Sequence, residues 1–333
     1  MSNIRDVAKV AGVSIATVSR ALSAPETVSK KSLKKVHDAI EQVQYKPNML
    51  ARNFRRHRAF TIVVLVPNMA NTFFATVVRG IEDVMQQHGF GVLLGDTRDQ
   101  RKREEEYLKL VETRQADGVI QLRPYWEGDS ILPKDDIIAV NAAGCEDTPY
   151  PCVRIDNAGA AKTATDYLLS LGHKRIGVIT GLSENPHTID RLKGYRQSLE
   201  NAGIDSCEEW VAEGEFTMWS GLNAAQHFIR IPKEERPTAI LSMNDEMAIG
   251  AIKGFRAAGI KVPQEMSIIG FDDIEVSRYA EPALTTIAQP AEEIGKAAAN
   301  MLLRLIEGKE LRQSDYILPY EFVVRSSSVP FSG

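Results

Sequence analysis

From Phe60 onward the chain alternates short apolar runs with helical segments, and it does so twice over. Phe60–Val66 is a continuous apolar strand, followed by a helix around Phe74–His88 and a strand Phe90–Gly95. A charged helix near Lys102–Arg114 and strands Gly118–Leu122 and Ile137–Asn141 complete the first set. The second set opens near residue 157 with a helix to Gly172, strand Arg175–Thr180 and a helix around Arg191–Ala202. Strand Thr238–Met243, helix Glu246–Ala258 and strand Met266–Phe271 follow. Ala288-Gln289-Pro290 reads as a crossover, Ile294–Ile306 as a last long helix, and Tyr316–Leu318 and Phe322–Arg325 as the closing strands. Alternation of this kind builds parallel sheets covered by helices on both faces, and two sets imply two lobes. At 333 residues the chain also has room for more than one domain.

The first 45 residues have a different texture. Ile4, Val7, Ala8 and Ala11 recur at helical spacing and share one face. Gly12 interrupts the pattern, Ser14 stands as an N-cap before Ile15–Leu22, and Val18, Ala21 and Leu22 form the inward set. After a loop containing Pro25, Ser29 caps a third helix with Leu33, Val36, Ile40 and Val43 inward. Asn48–Arg56 is a basic stretch with helical potential, too short to hold a helix alone in water.

Charge separates these regions further. Residues 1–58 carry 12 Lys and Arg against 4 Asp and Glu, whereas residues 59–333 carry 28 against 40. A basic head on an acidic body points to a polyanion-binding module at one end, with a solvated basic tail as the plainer alternative. The three short helices suit a helix-turn-helix: Gly12 permits the tight turn and small Ala8 lets the second helix approach. The outer side of that helix offers Ile15, Ala16, Ser19 and Arg20. Arginine reads guanine bidentately, alanine or isoleucine meets a thymine methyl, and Ser14, Thr17 and Ser19 can donate to phosphates.

Other classes find little support. No apolar run approaches the roughly 18–20 residues of a membrane span. Met1–Asp6 has no apolar segment of the secretory type, so a cytoplasmic protein is expected. Cys145, Cys152 and Cys207 lack zinc-type spacing and suit reduced thiols. Phosphate-binding glycine loops, the nucleophile elbow and the zincin motif are all missing from the sequence, so neither an enzyme nor a cofactor is expected. A sugar-binding transport receptor would share the two lobes, but would carry a signal peptide and no basic head.

The stretch Ile4-Arg5-Asp6-Val7-Ala8-Lys9-Val10-Ala11-Gly12-Val13-Ser14-x-x-Thr17-Val18-Ser19-Arg20, with Val28-Ser29 and Tyr45-x-Pro47-Asn48-x-x-Ala51-Arg52, resembles the signature of LacI/GalR-type bacterial repressors. The resemblance implies an α plus α/β chain. A helix-turn-helix domain takes residues 1–46, a hinge helix and linker 47–58, and a periplasmic-binding-protein-like core for effector binding and dimerisation 59–333. Lobe one would take about 60–158 and 291–318, and lobe two about 162–289 and 321–330. Helix two would lie in the major groove. Ser29 and the hinge residues Asn48, Ala51, Phe54 and Arg55 join the DNA-contacting set, the hinge folding in the minor groove of specific DNA. Phe54 stands where the family places a leucine lever; an apolar wedge there kinks the duplex, while a linker residue packing on the lobes is the alternative. The implied partners are a near-palindromic operator, a small effector and a second copy of the chain, with no membrane. The chain lacks a leucine-heptad tail after its last strand, which favours a dimer.

For the effector, the resemblance singles out Phe73, Phe74, Arg191, Phe216, Asp245 and Asp272. Carboxylates at strand carboxyl ends face the crevice of an α/β sheet and take hydrogen bonds from vicinal hydroxyls. Singly, Phe73 or Phe74 also suits the core, and Asp245 also suits an N-cap. Details such as Ser183-Glu184-x-Pro186 are similar to the cytidine-repressor subgroup, and Asn185 and His187 stand where purine repressors use Arg and Thr. The effector expectation is therefore a nucleoside, with a sugar or sugar phosphate as the alternative.

Overall fold

The structure is a computed structural model that describes residues 3–45, 58–123, 137–145 and 148–332. The hinge reading of Asn48–Arg56, including Asn48, Ala51, Phe54 and Arg55, lies outside the described residues. The chain divides between Ala59 and Phe60 into two compact units.

In the first unit, Asn3 and Asp6 form a reciprocal capping box at the start of α1 (Ile4–Ala11). Gly12 closes that helix in the left-handed conformation at φ 64°, so the chain turns at once into α2 (Ile15–Ser23). Ser14 caps α2 by accepting from Thr17 N, and Ser29 caps α3 (Lys30–Val43) by accepting from Ser32 N. Val7, Ala8, Ala11, Val18, Ala21, Val36 and Ala39 make a small core, with Ile4, Leu22, Leu33, Ile40 and Val43 packed around it.

The second unit holds two six-stranded sheets. In lobe one, β1 (Thr61–Val66) pairs with β2 (Gly91–Asp96) on one side and β3 (Val119–Gln121) on the other. β4 (Ala139–Ala142), β5 (Cys152–Arg154) and β11 (Asp315–Ile317) extend the sheet, all in parallel. Its helices are α4 (Thr72–Gln87), α5 (Arg101–Glu112) and α10 (Ala291–Ile306). In lobe two the order is β7 (Val211–Glu213), β6 (Ile176–Thr180), β8 (Ala239–Ser242), β9 (Ser267–Asp272), β10 (Thr285–Ala288) and β12 (Glu321–Val323), with only β12 antiparallel. α6 (Asn157–Ser170), α7 (Pro186–Asn201), α8 (Met218–Arg230) and α9 (Asp245–Ala257) cover it. The chain passes between the sheets three times, after Arg154, after Ala288 and after Ile317.

Strand interiors such as Ile62–Val66 and Ile268–Ile269 are buried on both faces, as parallel sheets require. Helices α4 and α10 press so closely together that a Cβ on Gly80 would lie 2.1 Å from the Glu292 carbonyl oxygen. Three differences from the sequence reading bear on the site. α7 begins at Pro186 rather than Arg191, because Asn185 caps it and Pro186 suits the first turn. Thr285–Ala288 is a strand, with the crossover only after it. β5, β7 and α8 went unassigned; the two strands have three residues each, too few to show a period.

Candidate functional site

The first unit exposes Ser14, Ile15, Ala16 and Arg20, with Thr17 and Ser19 half-buried beside them. Ile15 stays 45% exposed although it opens a helix whose other side holds a core. Ser14 Oγ lies 2.9 Å from Thr17 Oγ1 and caps Thr17 N, so these two hydroxyls fix the start of α2. Ser29 is exposed and lies 3.0 Å from Ser32 Oγ.

The second unit has a cleft at the carboxyl ends of both sheets, with about 790 Å³ of empty space including its mouth. It lies at the place where open α/β sheets bind ligands. Lobe one contributes Phe73 and Phe74 from the start of α4, which Asn71 caps through Phe73 N. The two rings stand edge to face with centroids 5.5 Å apart. Asp99 and Arg123 line the same side, and Arg123 is held 3.2 Å from the buried Glu104 carboxylate.

From lobe two come Leu182, Asn185, His187, Arg191, Glu215, Phe216, Asn244, Asp272 and Gln289. Phe216 sits at φ 58°, and its backbone oxygen accepts from Asn244 Nδ2 at 3.0 Å. The ring fills the space above Gly181, where any Cβ would collide with it. Asn244 Oδ1 caps α9 through Met247 N, so that side chain is fully engaged by the protein.

Arg191 and Asp272 are both buried, at 4% and 8% exposure. Arg191 Nε donates to Asn157 Oδ1 at 2.8 Å, its Nη1 donates to the Met243 carbonyl, and the guanidinium lies 3.6 Å from the Phe271 ring centroid. Burial lowers its pKa to about 10, opposed by Asp272 and other carboxylates, and it remains a cation. Asp272 ends β9 at φ 117° and accepts from Gln289 Nε2 at 2.7 Å. Burial raises its carboxyl to about 7, against the pull of Arg191 and of the Gln289 hydrogen bond. The cleft thus brings together three phenyl rings, a carboxylate raised toward neutrality and a tethered guanidinium.

Five of the six residues expected to face the effector thus line one cavity: Phe73, Phe74, Arg191, Phe216 and Asp272. Asp245 does not. It is fully buried beneath the site, taking Thr286 Oγ1 at 2.6 Å, Ser277 Oγ at 2.6 Å and Ile274 N at 2.9 Å. It is not the N-cap of α9 either; Asn244 is. Asp245 ties β10 and the Ile274 turn to α9, and so supports the strand end that carries Asp272. Asn185 and His187, which stand where purine repressors use Arg and Thr, line the cavity too, brought there by the helix start at Asn185-Pro186, whereas Gln289 was not singled out by the sequence.

A model described as bacterial regulatory proteins of the lacI family matches residues 3–48, and a periplasmic binding protein-like domain matches residues 165–328. The chain is 38% identical over 330 residues to the transcriptional repressor CytR of Escherichia coli (strain K12), covering 98% of this chain and 96% of that one. The chain belongs to the LacI family. It is a DNA-binding transcriptional repressor under the control of a small-molecule effector, not an enzyme. Within the family it is also 33% identical to catabolite control protein A of Priestia megaterium, over 98% of each chain. The family fold is seen again in the lac repressor dimer bound to operator and an anti-inducer, with a TM-score of 0.90, 26% identity and 98% of this chain covered.

Proposed function

We propose that the repressor senses a neutral, hydroxyl-rich effector, a nucleoside, in the cleft between its lobes. The observation that carries this reading is the disposition of charge in the cavity. Asp99, Glu215 and Asp272 line it, while its two arginines already serve the protein: Arg123 beside Glu104, Arg191 on Asn157 and Met243. A phosphate or carboxylate entering this site meets carboxylates without an uncommitted cation, whereas ribose hydroxyls find acceptors. Phe73, Phe74 and Phe216 supply faces for a base. The sugar phosphate alternative is the one this charge pattern disfavours; a neutral sugar remains as the second reading.

On the DNA side, Arg20 with Ile15 and Ala16 reads base edges, and Ser14, Thr17, Ser19 and Ser29 hold phosphates. Asn48, Ala51, Phe54 and Arg55 extend the contact into the minor groove, with Phe54 as the wedge. The regulator acts as a homodimer on a near-palindromic operator in the cytoplasm. Trp219 and Tyr279, 71% and 74% exposed, are large aromatic side chains that lobe two leaves for a second copy to cover. Because both lobes line the cavity, an effector selects one arrangement of them, and the coupling to operator is reciprocal.

A thermal-shift screen of nucleosides, free bases, sugars and sugar phosphates, followed by gel shift with the hits, tests this reading. Uncharged nucleosides are expected to raise Tm and to change operator affinity. Stabilisation by phosphorylated compounds alone would overturn it.

A further inference from the structure

His187 lines the effector cavity, yet both of its ring nitrogens are already occupied. Nε2 lies 2.9 Å from the Ala143 carbonyl oxygen, which belongs to lobe one just beyond β4. A carbonyl only accepts, so Nε2 carries the proton. Burial, with the charge of Arg191, lowers the imidazole pKa to about 3, so the ring is neutral and Nδ1 is an acceptor. Nδ1 faces Asn157 Nδ2 at 3.3 Å, which therefore donates, and this leaves Asn157 Oδ1 to accept from Arg191 Nε at 2.8 Å. Arg191 in turn donates to Met243 O at the end of β8. Every direction in the chain is fixed by the chemistry of its ends.

The members of this chain sit where the lobes meet. Ala143 belongs to lobe one. Asn157 is the first residue of α6, immediately after the first crossover. His187 and Arg191 are one turn apart on α7, so they share a face. Asn157 and Arg191 are 5% and 4% exposed, so water does not readily replace these bonds.

We propose that His187 is a positioning residue that joins lobe one to Arg191 through Asn157, so that the closure of the cleft and the aim of the guanidinium are set together. His187 spends its polar atoms on the protein and offers the effector only its ring edge. Selectivity thus passes through the guanidinium it orients, and an opened cleft releases that orientation. This rests on the effector site proposed above.

The test uses the full-length chain, its His187→Ala, His187→Gln, Asn157→Ala and double-alanine variants, and Asp272→Asn. Hydrogen exchange without ligand and calorimetric titration with cytidine are the readouts. Glutamine supplies one donor and one acceptor and can replace the imidazole; alanine supplies neither. His187→Ala is expected to speed exchange around 143–145 and 155–160 and to weaken cytidine binding about tenfold, the loss of two modest hydrogen bonds. His187→Gln restores most of both, and Asn157→Ala adds little once His187 is gone. Unchanged exchange in His187→Ala, no recovery with glutamine, or fully additive alanine effects would each overturn the relay. If Asp272→Asn binds cytidine as the parent does, or the parent does not bind it, the site reading fails instead, and the relay is judged on exchange alone.

Discussion

The repressor's two recognition surfaces are built in opposite ways. The helix-turn-helix presents exposed side chains on a single helix whose start is fixed by one local cap, Ser14. The cleft gathers residues from beyond the strand ends of both sheets, with Arg191 and Asp272 almost wholly enclosed. A surface of the first kind gains specificity only when its partner arrives, since water satisfies its groups until then. One of the second kind has removed its polar groups from water in advance and must satisfy them internally, which is why Asn157 meets Arg191 and Gln289 meets Asp272. The difference implies that DNA contacts are separable, whereas cleft residues act as a set.

Four measurements break or sharpen that contrast. Asp272→Asn removes the charge that hydroxyl donors favour and is expected to weaken cytidine binding by about 1.5–3 kcal/mol, the value of hydrogen bonds to charged groups. Effector-free operator affinity should stay close to the parent's; a matching loss of DNA binding would show that the two surfaces are not separable. Arg20→Ala is expected to cost about 1–3 kcal/mol and to relax preference at one base pair per half-site, read by competition with single-base operator variants. A uniform loss on every sequence would instead assign Arg20 to phosphate.

The third measurement is pH. The Asp272 carboxyl is raised to about 7 and therefore gains its charge as pH rises through neutrality. Cytidine affinity should increase from pH 6 to pH 8, by at most about tenfold for a one-unit displacement on each side of the midpoint. The opposite slope would show that the effector donates nothing to this carboxylate. Smallest is Thr286→Val, which takes one hydroxyl from the buried Asp245 at nearly constant volume. It should lower stability by about 1 kcal/mol in denaturant unfolding and leave DNA affinity of the folded protein intact; an unchanged midpoint would mean that Asp245 does not need its three donors.

The same contrast explains what could be read from sequence. The first unit was legible because its determinants are local: Gly12, Ser14 and Ser29 lie within a few residues of the helices they start or stop. The alternation of strands and helices was equally clear in the lobes, where continuous apolar runs mark β1, β6, β8 and β9. What escaped was set across distance. Asp245 carries the same composition cues as a ligand-facing acid, and only the packing of Thr286 and Ser277 around it makes it structural. The partners of His187 gave no signal, because Ala143 and Asn157 are brought to it by the sheet order and not by spacing.

The three passages of the chain between the lobes have a consequence for how the molecule is made. β5 of lobe one is bordered by β11, and Arg154 grips Asp315 through two hydrogen bonds of 2.8 Å across 161 positions of sequence. A ribosome working from the N-terminus delivers the helical unit complete, then most of lobe one, and must finish nearly all of lobe two before the strand that closes lobe one emerges. During that interval β5 is an open sheet edge, the kind of surface on which nascent chains pair with one another. A chain ended before Asp315 keeps that edge permanently and also lacks β12, so loss of a short C-terminal segment leaves an open edge in each lobe, β5 in one and β10 in the other, and should be felt as aggregation.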